Sequence, residues 1–338
     1  MSGRLAIVGE APGEQEELLG RFFVGPSGRE LDSWLAFCGL DRASALLTNV
    51  FHQRPPSNNI EAWCTTKLEA GSDYPLPPLR AGKYLRRDLA LPALSRLRDE
   101  LELYQPTCIL ALGNTALWAL CSRTGIGSVR GTVLPSTLLP GTKVLPTYHP
   151  AAVLRDYSLS PLAVRDLQKV SRELEFPEIR RPARQILIPE TLQDVLTYSF
   201  PGAGPLSLDI ETSPKLELLL CIGLSTDPAE ALVVPFVDLT RPEGSYWSEQ
   251  DEVQVWRWLQ LLLDSPRGKL GQNLIYDVQW LMRHHCWPRH WRADTMIGHH
   301  SLYSELPKGL ADLGSYYTDE VAWKTERPRG QHTFKREE

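Results

Sequence analysis

Apolar positions recur in two rhythms along the chain, and the change of rhythm divides it. In the first half, short apolar runs alternate with helical patterns. Arg4 to Gly9 reads as a strand, and Gly28 to Cys38 as a helix with Leu31, Trp34, Leu35 and Cys38 on one face. Leu46 to Phe51 is a second strand. A polar stretch from Arg54 to Gly82, dense in Pro, Asn and Ser, reads as a long loop. Lys83 to Tyr104 is helical with a break near Pro92, because a proline inside a helix removes a hydrogen bond. Thr107 to Leu112 is a third strand, Asn114 to Cys121 a short helix, and Lys143 to Thr147 a fourth strand. Strands alternating with helices predict a parallel sheet covered on both faces.

From Phe176 to Pro189 the composition turns Pro- and Arg-rich, which marks a boundary. Beyond it the strands come first. Leu206 to Ile210 is a strand, and Leu218 to Ser225 and Ala231 to Phe236 form a hairpin across the Asp227-Pro228 turn. An amphipathic helix runs from Gln250 to Leu263, Gly268 to Gln272 is a short strand, and Ile275 to His284 is helical. The expected organisation is therefore α/β in two domains: residues 1–175, a linker at 176–184, and residues 185–338. No internal repeat is visible.

Length agrees with that division, since 338 residues suit two domains of ~150 each. A net charge of -5 excludes a generally basic polyanion binder, so any nucleic acid would meet local basic patches or acidic sites that recruit cations. Six scattered cysteines without a C-x-x-C pair read as reduced thiols in a cytoplasmic protein. The N-terminus carries no secretory h-region, and no apolar run approaches the ~18 residues of a membrane span.

Candidate chemistry in the first half sits on loops that follow strands, where open α/β sheets bind ligands. Gly9-Glu10-Ala11-Pro12-Gly13 follows the first strand. Then come Gly20 to Gly28 (with Phe22-Phe23-Val24-Gly25), Thr48-Asn49-Val50 at the second strand end, Arg54-Pro55-Pro56, and Thr147-Tyr148-His149-Pro150 through Arg155 after the fourth. Read singly, each has a bland alternative: Phe23 as core, Asn49 as a strand-end turn, His149 as a satisfied structural histidine.

Together, in this order, these motifs over roughly residues 4 to 172 resemble the uracil-DNA glycosylase superfamily, most closely its family 4. The resemblance implies an α/β/α parallel-sheet fold and excision of uracil from DNA by hydrolysis of the N-glycosidic bond. It implies that Phe23 stacks on the flipped base, that Asn49 presents donor and acceptor to its pairing edge, and that His149 donates to the developing charge on a uracil oxygen. Glu10 falls where the family places a water-positioning or charge-stabilising group. Glu16 matches the position that crowds C5 and excludes thymine, and Arg155 would enter or brace the DNA. Family 4 enzymes hold a four-iron four-sulfur cluster with four cysteines, two of them ahead of the first strand. Here the chain opens on that strand, and Asp88-Leu89-Ala90-Leu91-Pro92 stands on the helix that should bear the third, so no iron-sulfur cluster is expected.

The second half carries carboxylates. Asp209 and Glu211 lie two apart on a strand and so share a face, and Gly271-Gln272-Asn273-Leu274-Ile275-Tyr276-Asp277 brings a third acid to a strand-to-helix junction. From about Gln185 to Lys324 this pattern resembles the DEDD-type 3′–5′ exonuclease domain of family A DNA polymerases, including Ala293-Asp294-Thr295-Met296, Leu310 to Leu313 and Trp323-Lys324. The resemblance implies a ribonuclease H-like mixed sheet, with Asp209, Glu211 and Asp277 binding Mg²⁺ or Mn²⁺ in a two-metal centre; Asp294 is expected to be structural. The family's last motif, Tyr-x-x-x-Asp, is missing, so this domain is expected to be incomplete at its C-terminus, the whole resembling the N-terminal part of a phage-type DNA polymerase with a polymerase domain in cis or in trans. Three readings stay open: an active glycosylase joined to a weakened exonuclease, a non-catalytic uracil reader, or a DNA-holding module. DNA containing uracil is the expected partner in the first two.

Overall fold

The computed structural model describes residues 3–241 and 244–320, so Trp323-Lys324 lies outside the described residues. The chain forms two compact units. One joins residues up to Arg181 with those from Ala311 onward; the other covers Pro182–Leu310.

In chain order the first unit contains β1 (Leu5–Gly9), α1 (Glu14–Leu19), α2 (Pro26–Phe37), β2 (Leu46–Asn49), β3 (Cys64–Thr65), α3 (Lys67–Ala70), β4 (Tyr84–Leu85), α4 (Arg87–Tyr104) and β5 (Cys108–Leu112). There follow α5 (Gly113–Cys121), α6 (Ile126–Val129), β6 (Leu134–Pro135), β7 (Lys143–Thr147), α7 (Pro150–Val153) and α8 (Ser160–Glu173). Its sheet runs β2-β1-β5-β7-β6, parallel except for the two-residue edge strand β6. Alternation along β1 sends Ala6 and Val8 into a core with Leu97, Leu101 and Trp118, and Leu5 and Ile7 into a second core with Leu31, Trp34 and Leu167. The sheet is thus buried on both faces, as parallel sheets require. Register places Gly9 beside Asn49 and Leu112 beside Thr147, so the strands deliver their carboxyl ends to one edge.

Three local differences from the sequence reading have physical causes. Helix α4 runs through Pro92 without a break, because Ala90, Leu94, Leu97 and Leu101 bury one face continuously and outweigh a lost hydrogen bond. The polar stretch 54–82 contains the short helix α3, closed by a capping box between Thr66 and Glu69. Just beyond that stretch, β4 pairs antiparallel with β3, whose Cys64–Thr65 lie within it. Helix α8 stands where the sequence pattern assigns no element, and Leu162, Ala163, Leu167 and Val170 recur along it at helical spacing and are buried.

The second unit contains β8 (Gln185–Leu187), α9 (Leu192–Thr197), β9 (Leu206–Ser213), β10 (Leu218–Asp227), β11 (Glu230–Pro235), α10 (Glu249–Asp264), β12 (Lys269–Gly271), α11 (Leu274–Arg283), β13 (Trp291–Asp294) and α12 (Thr295–Leu302). Its sheet is mixed, in the order β13-β12-β9-β10-β11-β8. Strands β9, β10 and β11 are antiparallel neighbours, β12 and β13 join on the β9 side in parallel, and β8 lies parallel to β11. Helix α10 packs Val255, Leu259 and Leu263 into the core formed by Leu208, Ile210, Ile222, Leu224 and Val234.

Helix α13 (Leu310–Tyr317) begins where the second unit ends, and its residues from Ala311 onward belong to the first unit. Buried Arg130 donates to Ser315 Oγ at 3.2 Å, and Lys169 Nζ donates to Thr318 O at 2.7 Å and Gly131 O at 2.9 Å. Arg130 also pairs with Asp166, which is fully buried and accepts from Thr147 Oγ1 at 2.7 Å. The sequence reading counted these residues with the second domain. Long-range polar contacts, invisible to periodicity, tie them to the first. Among the described residues no helix is long and apolar enough to cross a membrane.

Candidate active site

Four loops meet at the carboxyl edge of the first sheet. Gly9 ends β1, and a Cβ there would lie 2.4 Å from Asn49 Oδ1 and 2.7 Å from Phe23 Cζ. Its missing side chain is what lets an amide and an aromatic ring approach from opposite directions. Phe23 is 5% exposed and adopts a left-handed backbone (φ 54°), an uncommon conformation for a bulky residue. Two groups hold it there. Arg42 Nη2 donates to Phe22 O at 3.2 Å and Phe23 O at 2.9 Å, and Glu16 Oε1 accepts from Val24 N at 3.1 Å and Gly25 N at 2.9 Å. Glu16 therefore spends its carboxylate on the turn beside Phe23, a bracing task the sequence did not reveal.

Asn49 ends β2 and is buried. Glu10, the next residue after Gly9, accepts a hydrogen bond from Thr115 Oγ1 in the first turn of α5. His149 follows β7 and caps α7, with its Nδ1 accepting from Ala151 N at 3.1 Å. An Nδ1 that accepts carries a lone pair, so the neutral ring holds its proton on Nε2 and presents a donor there. Burial, and then the Arg155 charge, push the His149 pKa down to about 4, with Glu16 opposing. The imidazole is thus neutral at ordinary pH. Gly113, at φ +83°, packs against it: a Cβ there would sit 3.1 Å from His149 Cβ. Arg155 is exposed on the same loop, between exposed Leu154 and Tyr157. The structure so brings Phe23, Asn49, Glu10, Glu16 and His149 to the loops at one edge of the sheet, with Arg155 exposed on the loop that follows His149.

A sequence profile of the uracil DNA glycosylase superfamily matches residues 2–174. The chain belongs to that superfamily. Its enzyme class is accordingly that of a glycosylase, a hydrolase of N-glycosyl bonds. The type-4 uracil-DNA glycosylase of Thermotoga maritima is 34% identical over 172 residues, 49% of this chain and 75% of that protein. That of Archaeoglobus fulgidus is 32% identical over 172 residues, covering 49% and 74%. A DNA polymerase of Bacillus phage SP01 is 25% identical over 173 residues, which is 51% of this chain and 16% of that protein.

An iron-sulfur cluster would need thiolates grouped around one point, and the glycosylase unit holds its cysteines apart. Cys108 and Cys121 lie in the cores, where burial lifts both thiols to about 12, and Cys38 and Cys64 bond to the carbonyls of Val164 and Ile60. Thiols that resist ionisation in separate places are poor ligands. Among the described residues no three His, Cys, Asp or Glu side chains are grouped to hold a metal ion.

The same holds for the carboxylates of the second unit. Asp209 and Glu211 do share the exposed face of β9, as alternation requires. Asp277 is 4% exposed, and its Oδ1 accepts from Ile210 N at 2.9 Å. Burial lifts its carboxyl to about 6, and Asp209 is also raised by burial and by Glu211. Asp294 accepts from the backbone N–H groups of Asn273, Leu274, Met296 and Ile297, capping two helices.

Proposed function

We propose that this chain excises uracil from DNA, and that the meeting of Phe23 and Asn49 at Gly9, with a neutral, Nε2-protonated His149 at the same edge of the sheet, carries that reading. A deoxyuridine swung out of its stack would place the base against the Phe23 ring, worth ~1–3 kcal/mol by stacking. Asn49 would read the pairing edge, where its amide offers one donor and one acceptor. As the bond between C1′ and the base nitrogen breaks, its electron pair passes into the pyrimidine, and charge grows on the uracil oxygens. The Nε2–H of His149 would donate to that charge. A neutral donor suits the task, since it stabilises the leaving group without first being charged. Glu10, fixed by Thr115, would take a proton from the water that adds to C1′. Arg155 would meet the phosphate backbone, a local basic contact in an acidic chain.

The site residues and their roles are part of this proposal. So is a finer reading of the second unit, in which three antiparallel strands followed by two parallel ones support a ribonuclease H-like, exonuclease-derived fold. The similarity to a phage DNA polymerase is compatible with a place beside a polymerase. Asp209, Glu211 and Asp277 would be the acids of that fold, and their role as metal ligands stays part of the proposal.

The test uses an oligonucleotide with one uracil, incubated with the full chain in EDTA and then treated with alkali. Scission at the uracil is the expected result, since this chemistry needs no metal. An intact strand with uracil-dependent binding retained would favour a non-catalytic uracil reader.

A further inference from the structure

Two arginines stand behind the site in matching positions. Arg96, on α4, donates through Nη2 to the carbonyls of Asn49 and Val50, each at 2.7 Å, while its Nη1 reaches Glu100 Oε1 at 2.7 Å and His52 Nε2 at 2.7 Å. Glu100 in turn accepts from Thr48 Oγ1 at 2.7 Å. Arg42 repeats the device on the other wall: it forks to the carbonyls of Phe22 and Phe23 and pairs with Asp32 on α2. In both cases one guanidinium spans two consecutive main-chain carbonyls, and a helix carboxylate holds the guanidinium.

We propose that Arg96 and Arg42 are positioning residues that fix the base-reading amide of Asn49 and the stacking ring of Phe23 relative to each other. The proposal rests on the uracil-excision reading of this site. Both guanidinium groups are committed to main-chain carbonyls and to a helix carboxylate. What they set is where the two side chains leave the backbone. The Phe23 wall needs this most, since its left-handed backbone is held against its preference. A planar fork with several donors suits two adjacent carbonyls, whereas a lysine ammonium offers a single point charge without that geometry. Misplacing a binding group by about 1 Å is enough to cost ~10²-fold in rate, which sets the scale of the expected effect.

The test is a pair of double-mutant cycles on the full chain, reading kcat and KM on a uracil oligonucleotide together with the melting temperature. Arg96→Met is made alone and in Asn49→Ala; Arg42→Met is made alone and in Phe23→Ala. We expect Arg96→Met alone to lower kcat/KM by ~10- to 10²-fold, and to add less than ~3-fold once Asn49 is gone. Arg42→Met should behave likewise toward Phe23. Equal losses in both backgrounds would overturn the proposal, because a merely structural arginine acts additively; so would single variants that keep full kcat/KM. If a Met variant fails to fold, Arg→Lys replaces it, and a lysine that restores full activity in place of the fork also overturns the proposal. Should the unmodified chain bind the uracil oligonucleotide without turnover, the excision reading fails alone, and the same cycles read in affinity decide the arginines. An unmodified chain with neither binding nor turnover sinks both.

Discussion

Both units gather polar side chains at strand ends, and they differ in how those side chains are partnered. In the glycosylase unit, parallel register brings Gly9 beside Asn49 and Leu112 beside Thr147, so four loops meet at one edge of the sheet. Each group there has a second partner that fixes it: Thr115 for Glu10, Arg42 for Phe23, Arg96 for Asn49, Ala151 N for His149. In the second unit Asp209 and Glu211 emerge together from β9, yet Asp277 turns to the strand backbone and becomes a hydrogen-bond acceptor for Ile210. Shared direction on a strand brings side chains together, and supporting partners are what keep them in place.

The largest effect that can break this comparison lies beneath those loops. Asp166→Ala leaves Arg130 buried without its partner, and removing one member of a buried pair typically costs ~3–5 kcal/mol. Urea unfolding of the full chain should show that loss; a variant as stable as the parent would mean the network under Thr147 is not what supports the loop. Next, His149→Ala should slow uracil release by ~10²–10³, the scale for a lost charge-stabilising donor. Unchanged turnover would remove His149 from the chemistry. Gly9→Ala should also fall well below the parent, because its Cβ would meet Asn49 Oδ1 at 2.4 Å.

Two pH effects sharpen the contrast, and their signs are opposite. His149 is held near 4, below its ordinary 6.5. Its unfolded form therefore takes up a proton first as pH falls, and the stability it contributes, complete above about 6.5, is lost on the way down to about 4. Asp277 is raised from 3.8 to about 6. Its folded form holds the proton longer, so its contribution is present in acid and is lost as pH rises through that window. In unfolding curves between those limits, Asp277→Asn should remove a fall in stability with rising pH, whereas His149→Ala should remove a rise. The smallest effect belongs to Asp209→Asn, which should leave uracil release unchanged; loss of release there would couple the units chemically.

Much of the glycosylase site was legible because its residues are tied to strand ends by short motifs. Glu10 follows Gly9 immediately, and His149 precedes the Pro150 that opens α7, so order along the chain carried position in space. Thr115, Arg42 and Arg96 were not legible. Thr115 reaches the Glu10 carboxylate and the two arginines reach main-chain carbonyls, all far away in sequence, and nothing local distinguishes such an arginine from one on a solvated helix face. Periodicity foresaw the two sheets and placed Asp209 and Glu211 on one face. It had no means of telling that Asp277 would serve the backbone, or that residues beyond Ala311 would return to Arg130 and Lys169. Both outcomes depend on long-range packing rather than on pattern.

The most direct measurement puts both units on one gel. A 5′-labelled single strand with an internal uracil and a free 3′ end is incubated with the full chain in EDTA or in Mg²⁺, then treated with alkali. The account predicts scission at the uracil in both buffers and any ladder from the 3′ end in Mg²⁺ alone. A magnesium-dependent ladder from the 3′ end, with the uracil untouched, would contradict it.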